Sequence, residues 1–185
     1  MDQDIETVLF TREQIQKRIS ELAVEIANDY KDKNPVVVCV LRGAVLFFAD
    51  LTSQMDILME MEFMSVSSYG NGYESTGSLK IKKDVEIDLT GRHVLIVEDI
   101  VDTGLTLSEL VKNMVTRNAA SVKICTLLDK ACKRKFPVEI AYTGFKIDDV
   151  FILGYGLDFH GQYRNLPYIG LMKASKIAEI EAREK

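Results

Sequence analysis

The chain has 185 residues, a formal net charge of −5, 47% hydrophobic residues and 28% charged residues. This length fits one domain with a buried core, and the acidic balance argues against a nucleic-acid-binding surface. No apolar run reaches membrane-spanning length, and residues 1–6 lack the positive charge of a secretion signal, so we expect a cytoplasmic protein without a membrane partner.

Predicted strands and helices alternate through most of the chain. Thr11 and Gln14 have the spacing of a capping box, which places a helix start there. The run 36–41 is continuously apolar and mostly β-branched, which is typical of a strand buried on both faces of a parallel sheet. In chain order we predict a helix over 12–30, a strand over 36–41, a helix from about 45, strands over 59–63, 79–87 and 94–97, a helix through 107–114, strands over 122–128, 138–142 and 150–153, and a helix over 173–185. This order predicts an α/β domain with a mainly parallel sheet, whose ligands bind at the carboxyl ends of the strands.

The segment 67–78 is rich in glycine and polar residues and has little to bury. A plain hairpin connection would explain its Asn71-Gly72 turn signal. The segment is long for such a connection, and we therefore predict a mobile lid that closes over a site.

The stretch 94–107 carries the strongest functional signal. An apolar strand runs into Glu98 and Asp99, and Asp102-Thr-Gly-Leu-Thr106 then leads into a helix. A helix N-terminus with added hydroxyl donors is suited to phosphate, whereas carboxylates bind sugar hydroxyls or hydrated Mg²⁺. An ordinary capped turn would explain one polar residue, but not three carboxylates and two threonines within nine residues.

This stretch resembles the phosphoribosyl diphosphate (PRPP) motif of type I phosphoribosyltransferases, in which a hydrophobic strand and two acidic residues precede Asp-Thr-Gly-x-Thr. Further segments resemble the bacterial hypoxanthine (guanine) phosphoribosyltransferases, namely 41–44, 67–70, 127–130, 150–158 and 163–170. The resemblance implies the type I fold, which is a mainly parallel twisted sheet flanked by helices. It also implies a single domain with a small hood formed by part of the N-terminal segment and roughly 150–185.

The resemblance implies an enzyme of purine salvage. Such an enzyme transfers the 5-phosphoribosyl group from PRPP to N9 of hypoxanthine or guanine and yields IMP or GMP and pyrophosphate. The resemblance further implies Mg²⁺ as cofactor. The apolar helix after Arg42 leads us to expect a homodimer or homotetramer, and the net negative charge leads us to expect no nucleic-acid partner. Asp102 is expected to be the general base near N7 of the purine.

The resemblance also assigns the remaining site residues. The ribose and 5′-phosphate are expected to bind to Glu98, Asp99, Asp102, Thr103, Gly104, Leu105 and Thr106, and pyrophosphate is expected to bind to Leu41, Arg42, Gly43 and Arg164. The purine is expected to bind to Lys130, Phe151, Ile152 and Asp158, and the metal to Glu98, Asp99 and Asp158. Ser68 and Tyr69 are expected to belong to the flexible loop. Arg42 stands where family members often carry lysine, which keeps the charge but changes the donor geometry. Without the resemblance, Lys130 would be interpreted as a surface lysine and Phe151 as a core residue.

Three other functions compete with this prediction. A transferase of the same fold could act on xanthine, adenine or an orotate-like base, but Lys130, whose ammonium suits a 6-oxo group, and the segment 151–158 favour a 6-oxopurine. A regulatory PRPP sensor that binds RNA or DNA would be expected to show an added domain or a basic face. A phosphate-transferring NTPase is excluded because the sequence has no Gly-x-x-x-x-Gly-Lys-Ser/Thr segment. The order of preference among hypoxanthine, guanine and xanthine stays open.

Overall fold

The computed structural model describes residues 1–68 and 79–183, which form two sheets flanked by helices. In chain order the elements are β1 (Ile5–Phe10), α1 (Arg12–Asp29), β2 (Val36–Leu41), α2 (Val45–Thr52), β3 (Glu60–Ser68), β4 (Leu79–Lys83), β5 (His93–Val101), α3 (Leu105–Thr116), β6 (Ser121–Asp129), β7 (Tyr142–Lys146), β8 (Ile152–Leu153), β9 (Ile169–Met172) and α4 (Ala174–Arg183), with 3₁₀ turns at Asp2–Asp4 and Ala131–Lys133. None of the helices in this described part of the chain is both long and apolar enough to cross a membrane.

The larger sheet has the strand order β4-β3-β2-β5-β6-β7. All its neighbouring pairs are parallel except β3 and β4, so the predicted mainly parallel sheet is confirmed. Successive residues of β2 face opposite sides: Val37 and Cys39 pack with α1 and α2, whereas Val36 and Val38 pack with α3. Helices cover both faces, which explains why β2 is apolar throughout.

The smaller sheet has the antiparallel order β1-β9-β8 and joins the two ends of the chain. Ile5 of β1 and Met172 of β9 share a small core with Leu153, and Ile177 and Ile180 of α4 pack against it. The prediction of a C-terminal helix is therefore confirmed, and its Ile177 and Ile180 side chains face inward. The strand at Ile5–Phe10 was not predicted from the sequence.

Several predicted boundaries change in the structure. The capping box at Thr11 and Gln14 is confirmed, and the helix after it ends at Asp29. The strand predicted over 138–142 is wrong, because β7 begins only at Tyr142. Val138 instead packs under Gly104, and Pro137 before it has no N–H to donate to a sheet. The predicted lid, with Tyr69, lies almost entirely outside the described residues.

Candidate active site

A cleft of about 360 Å³ opens at the carboxyl ends of β2 and β5. Its walls come from the turn after β2, the end of β5, the start of α3 and the segment between β8 and β9. The predicted site residues that line it are Leu41, Gly43, Glu98, Asp99, Asp102, Thr103, Gly104, Thr106, Asp158 and Arg164. Residues far apart in sequence thus meet at the edge of the sheet where α/β folds bind ligands.

Two neighbouring carboxylates lie at the end of β5. Asp99 is only 9% exposed, and its Oδ1 accepts a hydrogen bond from the Ile100 N–H at 2.8 Å. Burial raises the pKa of Glu98, and the adjacent Asp99 carboxylate adds to the rise. Burial also raises the pKa of Asp99. The pair therefore favours a bound proton or cation over two free negative charges.

The oxygen donors of this pair fit a hard divalent cation. Mg²⁺ is commonly held by one or two carboxylates together with water and substrate phosphate oxygens. Over residues 1–68 and 79–183 there is no group of three His, Cys, Asp or Glu side chains placed to hold a metal ion. Glu98 and Asp99 thus suit a metal that arrives with substrate oxygens better than a metal held by protein alone.

The turn from Thr103 to Thr106 presents the N-terminus of α3 to the cleft. Gly104 precedes the helix with φ +83°, and a Cβ there would lie 2.7 Å from the Phe136 carbonyl oxygen. The N–H groups of Lys135 and Phe136 both donate to the Thr103 carbonyl at 3.0 Å. The 135–136 backbone thus braces the turn from behind. The Leu105 N–H donates to Thr103 Oγ1 at 3.4 Å, and the N–H groups of the next residues of α3 and the threonine hydroxyl donors are suited to an anion.

Lys130 lies at the end of β6 and is only 8% exposed. Its Nζ donates to the Val150 carbonyl at 3.1 Å and lies 3.5 Å from Asp102 Oδ1. The interpretation of Lys130 as an ordinary surface lysine is therefore wrong. A buried ammonium therefore adjoins the Asp102 carboxylate at the start of the turn that leads into α3.

Phe151 and Ile152 follow Val150 on the same side of the site. The Phe151 side chain is 48% exposed and contacts Phe159 edge-on, with 5.3 Å between ring centroids. The interpretation of Phe151 as a core residue is wrong, and much of its surface is free to stack on a planar ligand. Ile152 is buried in β8.

Arg42 and Arg164 occupy different environments. The peptide bond between Leu41 and Arg42 is cis, and Arg42 is exposed outside the cleft lining. Arg164 lines the cleft, where its Nη2 lies 2.6 Å from Asp158 Oδ1. Asp158 Oδ2 accepts the Gly161 N–H at 2.7 Å, so both Asp158 oxygens already have partners. The metal and purine roles predicted for Asp158 stay predictions.

Asp149, which no motif in the sequence predicted as a site residue, has its carboxylate beside Lys130. Asp149 Oδ1 is 3.8 Å from Lys130 Nζ, and its Oδ2 is 2.5 Å from Lys133 Nζ. A single acidic residue in a loop is common, so the only feature of the sequence that could have indicated Asp149 is its position two residues before Phe151.

An acidic pair followed by a helix N-terminus suited to phosphate, at the edge of a mainly parallel sheet, is the arrangement expected of a phosphoribosyltransferase. The sequence model for the phosphoribosyl transferase domain matches residues 9–160, and the chain belongs to this family.

Its relatives point to one branch of the family. The hypoxanthine-guanine-xanthine phosphoribosyltransferase of Tritrichomonas foetus is 51% identical over 176 residues, which cover 95% of this chain and 96% of the relative. The hypoxanthine-guanine phosphoribosyltransferase of Bacillus subtilis is 50% identical over 173 residues, which cover 94% of this chain and 96% of the relative. A crystal structure of a hypoxanthine phosphoribosyltransferase from Staphylococcus aureus has 43% identity and a TM-score of 0.93, covering 95% of this chain and 96% of that chain.

Proposed function

We propose that this chain is a hypoxanthine (guanine) phosphoribosyltransferase of purine salvage. It transfers the 5-phosphoribosyl group of PRPP to N9 of a 6-oxopurine and releases IMP or GMP and pyrophosphate. The observation that carries the proposal is the buried Lys130 ammonium, 3.5 Å from Asp102 Oδ1. This contact places the Lys130 ammonium, which suits a 6-oxo substituent, next to the turn that begins at Asp102 and suits phosphoribose.

The phosphoribose end of PRPP would bind along the end of β5 and the start of α3. The backbone N–H groups of α3, Thr103 and Thr106 would hold the 5′-phosphate. Glu98 and Asp99 would accept hydrogen bonds from the ribose hydroxyls and would hold Mg²⁺ together with substrate oxygens. Bound Mg²⁺ would supply positive charge to the pyrophosphate leaving group.

The purine would bind between Phe151 and Lys130. The Phe151 ring would stack on the base, and the backbone of Ile152 would contact its edge. The Lys130 ammonium would donate a hydrogen bond to O6 of the base in place of its hydrogen bond to the Val150 carbonyl. The 6-amino group of adenine offers no acceptor for this ammonium. A polar partner of this kind discriminates strongly between 6-oxo and 6-amino purines.

Asp102 would act as the general base. Its side chain is half exposed at the cleft and faces Lys130, so a purine held by Lys130 brings its N7 proton toward this carboxylate. As N9 bonds to C1 of the ribose, the C1–oxygen bond to pyrophosphate breaks and Asp102 takes the N7 proton.

The departing pyrophosphate would be held at the turn after β2. Backbone N–H groups around Gly43 and the Arg164 guanidinium would stabilise its negative charge. Arg42 would add a second cation from the exposed end of the turn.

An assay with four bases tests the proposal. Purified protein is incubated with PRPP, Mg²⁺ and hypoxanthine, guanine, xanthine or adenine, and nucleotide formation is followed by absorbance. We expect product with hypoxanthine or guanine and none with adenine. Product with adenine alone, or no product with either 6-oxopurine, would contradict the proposal. The xanthine reaction decides whether this chain accepts the three bases named for the Tritrichomonas foetus enzyme.

The cytoplasmic location and the homodimeric or homotetrameric state stay predictions.

A further inference from the structure

Tyr155 and Asp50 form a hydrogen bond outside the predicted site residues. Tyr155 lies between β8 and β9 and is 5% exposed, and its hydroxyl donates to Asp50 Oδ2 at 2.5 Å. Asp50 belongs to α2, and the Gln16 side chain of α1 donates to the same oxygen at 2.5 Å. One carboxylate thus ties the 154–156 turn to two helices behind the larger sheet.

The backbone at Tyr155 has an unusual conformation. Gly154, Tyr155 and Gly156 have φ values of +95°, +49° and +98°, and a residue with a Cβ rarely adopts the left-handed region. The Tyr155 N–H donates to the Leu166 carbonyl at 2.9 Å, and the Gly156 N–H donates to the Arg164 carbonyl at 2.8 Å. The Tyr155 side-chain contact with Asp50 adds a third attachment to this turn.

The same turn contacts the pyrophosphate side of the cleft. A Cβ on Gly156 would lie 1.9 Å from the Gly43 carbonyl oxygen, so the two backbones touch directly. The Gly156 carbonyl in turn accepts a hydrogen bond from Arg164 Nη1 at 2.5 Å. The position of Gly156 therefore sets the distance between the Arg164 guanidinium and the Gly43 turn.

We propose that Asp50 and Tyr155 are positioning residues for pyrophosphate. The helix α2 begins directly after the Gly43 turn, at Val45, and carries Asp50 in its last turn. The Asp50–Tyr155 hydrogen bond therefore connects both walls of the pyrophosphate site, the Gly43 turn and the Gly156–Arg164 contact, to one rigid element. This inference rests on the proposed function, because it assigns these walls to pyrophosphate.

The test compares two tyrosine variants that each lose a hydrogen bond to an aspartate. Tyr155→Phe removes the hydroxyl at Asp50, and Tyr142→Phe removes a hydroxyl that donates to Asp29 at 2.6 Å, at the start of β7 on the far end of the sheet. The KM values for pyrophosphate and IMP in the reverse reaction and for PRPP and hypoxanthine in the forward reaction are measured, together with urea unfolding.

We expect Tyr155→Phe to raise the KM for pyrophosphate by about fivefold to tenfold, and the KM for PRPP in parallel, as for loss of one hydrogen bond that orients a binding group. The KM for hypoxanthine should stay within about twofold of wild type, because the Phe151–Lys130 side of the site is untouched. Tyr142→Phe should lower stability but leave every KM unchanged.

Two variants of Asp50 separate positioning from general destabilisation. Asp50→Asn retains an oxygen that can accept from the Tyr155 hydroxyl and should stay close to wild type in pyrophosphate KM, whereas Asp50→Ala should match Tyr155→Phe. If Tyr155→Phe and Tyr142→Phe have the same pyrophosphate KM in an active enzyme, the inference is overturned and the proposed function stands. A wild-type protein that forms no nucleotide overturns both.

Discussion

Replacing Gly43 by alanine would place a methyl group against the acidic pair. The added Cβ would lie 1.6 Å from Asp99 Oδ2, whereas real Cβ atoms approach other atoms to no less than 3.0 Å. Relief therefore requires the added Cβ and the Asp99 carboxylate oxygen to separate by about 1.4 Å more. Asp99 is nearly buried and its other oxygen is hydrogen-bonded to Ile100, so much of this displacement falls on the turn.

A shift of this size has a large expected effect on turnover. Misplacing a reacting group by about 1 Å can reduce the rate roughly 10²-fold, and overpacking typically destabilises a fold by about 1–3 kcal/mol. We therefore predict that Gly43→Ala lowers kcat/KM for PRPP by about 10²-fold, and that the variant unfolds at a lower urea concentration. Initial rates of IMP formation and urea unfolding measure the two effects separately.

Gly91→Ala is the matched control for this prediction. Gly91 has φ +72° and lies in the turn before β5, away from the cleft. Apart from its two chain neighbours, no residue in the described part of the chain has an atom within 4 Å of a Cβ added there. Alanine in this left-handed conformation should destabilise the fold by about 1–2 kcal/mol without changing kcat/KM. If Gly43→Ala is as active as Gly91→Ala, the contact between the Gly43 turn and Asp99 does not set the geometry of the site.

Further predictions concern the base side of the site and the stability of the fold. Asp102→Asn should lower kcat by about 10²–10⁴-fold while calorimetry still detects PRPP binding, and unchanged turnover would reject Asp102 as the general base. Lys130→Met should raise the KM for hypoxanthine at least about tenfold and leave the KM for PRPP within about twofold, whereas equal changes in both would contradict a role in base recognition. The Tyr142 hydroxyl and the Lys123 ammonium hold the pKa of Asp29 below its ordinary value, so the unfolded state binds more protons there. The free energy of unfolding should consequently fall as the pH drops below about 4, and Asp29→Asn should reduce that fall in urea titrations.

The sequence predicted those parts of the molecule whose signals are local. The apolar run of β2 and the capping box at Thr11 determine their own elements, and both appear as predicted. The acidic residues and threonines of the segment 98–106 lie within nine residues of sequence, so one strand end, one turn and one helix start place them in the cleft together. Short-range patterns are enough for a site built from a single turn.

Other features depend on contacts between distant segments. β1 pairs with β9, and the register joins Ile5 to Met172, so no pattern near Ile5 reveals its partner. The burial of Lys130 depends on Val150 and Asp102, which reach it from other segments of the chain. A lysine at a strand end is usually exposed, and only the fold, or resemblance to a family, shows otherwise.

The same limit explains the missed contacts on the pyrophosphate side. Gly156 touches Gly43 across more than a hundred residues of sequence, and Tyr155 meets Asp50 in the same way. The strand predicted over 138–142 shows the opposite error, because Val138 and Ile140 alternate like a strand but pack against the α3 side of the core. Alternation alone does not identify the surface that a residue covers.

We infer that the segment 98–106, which comprises the end of β5, the following turn and the start of α3, binds a phosphorylated ribose together with a divalent cation. Calorimetric titration of PRPP into the purified protein, with and without Mg²⁺, tests it most directly. The account predicts saturable binding of one PRPP per chain that weakens markedly when Mg²⁺ is omitted. A protein that shows no saturable PRPP binding in the presence of Mg²⁺ would contradict it.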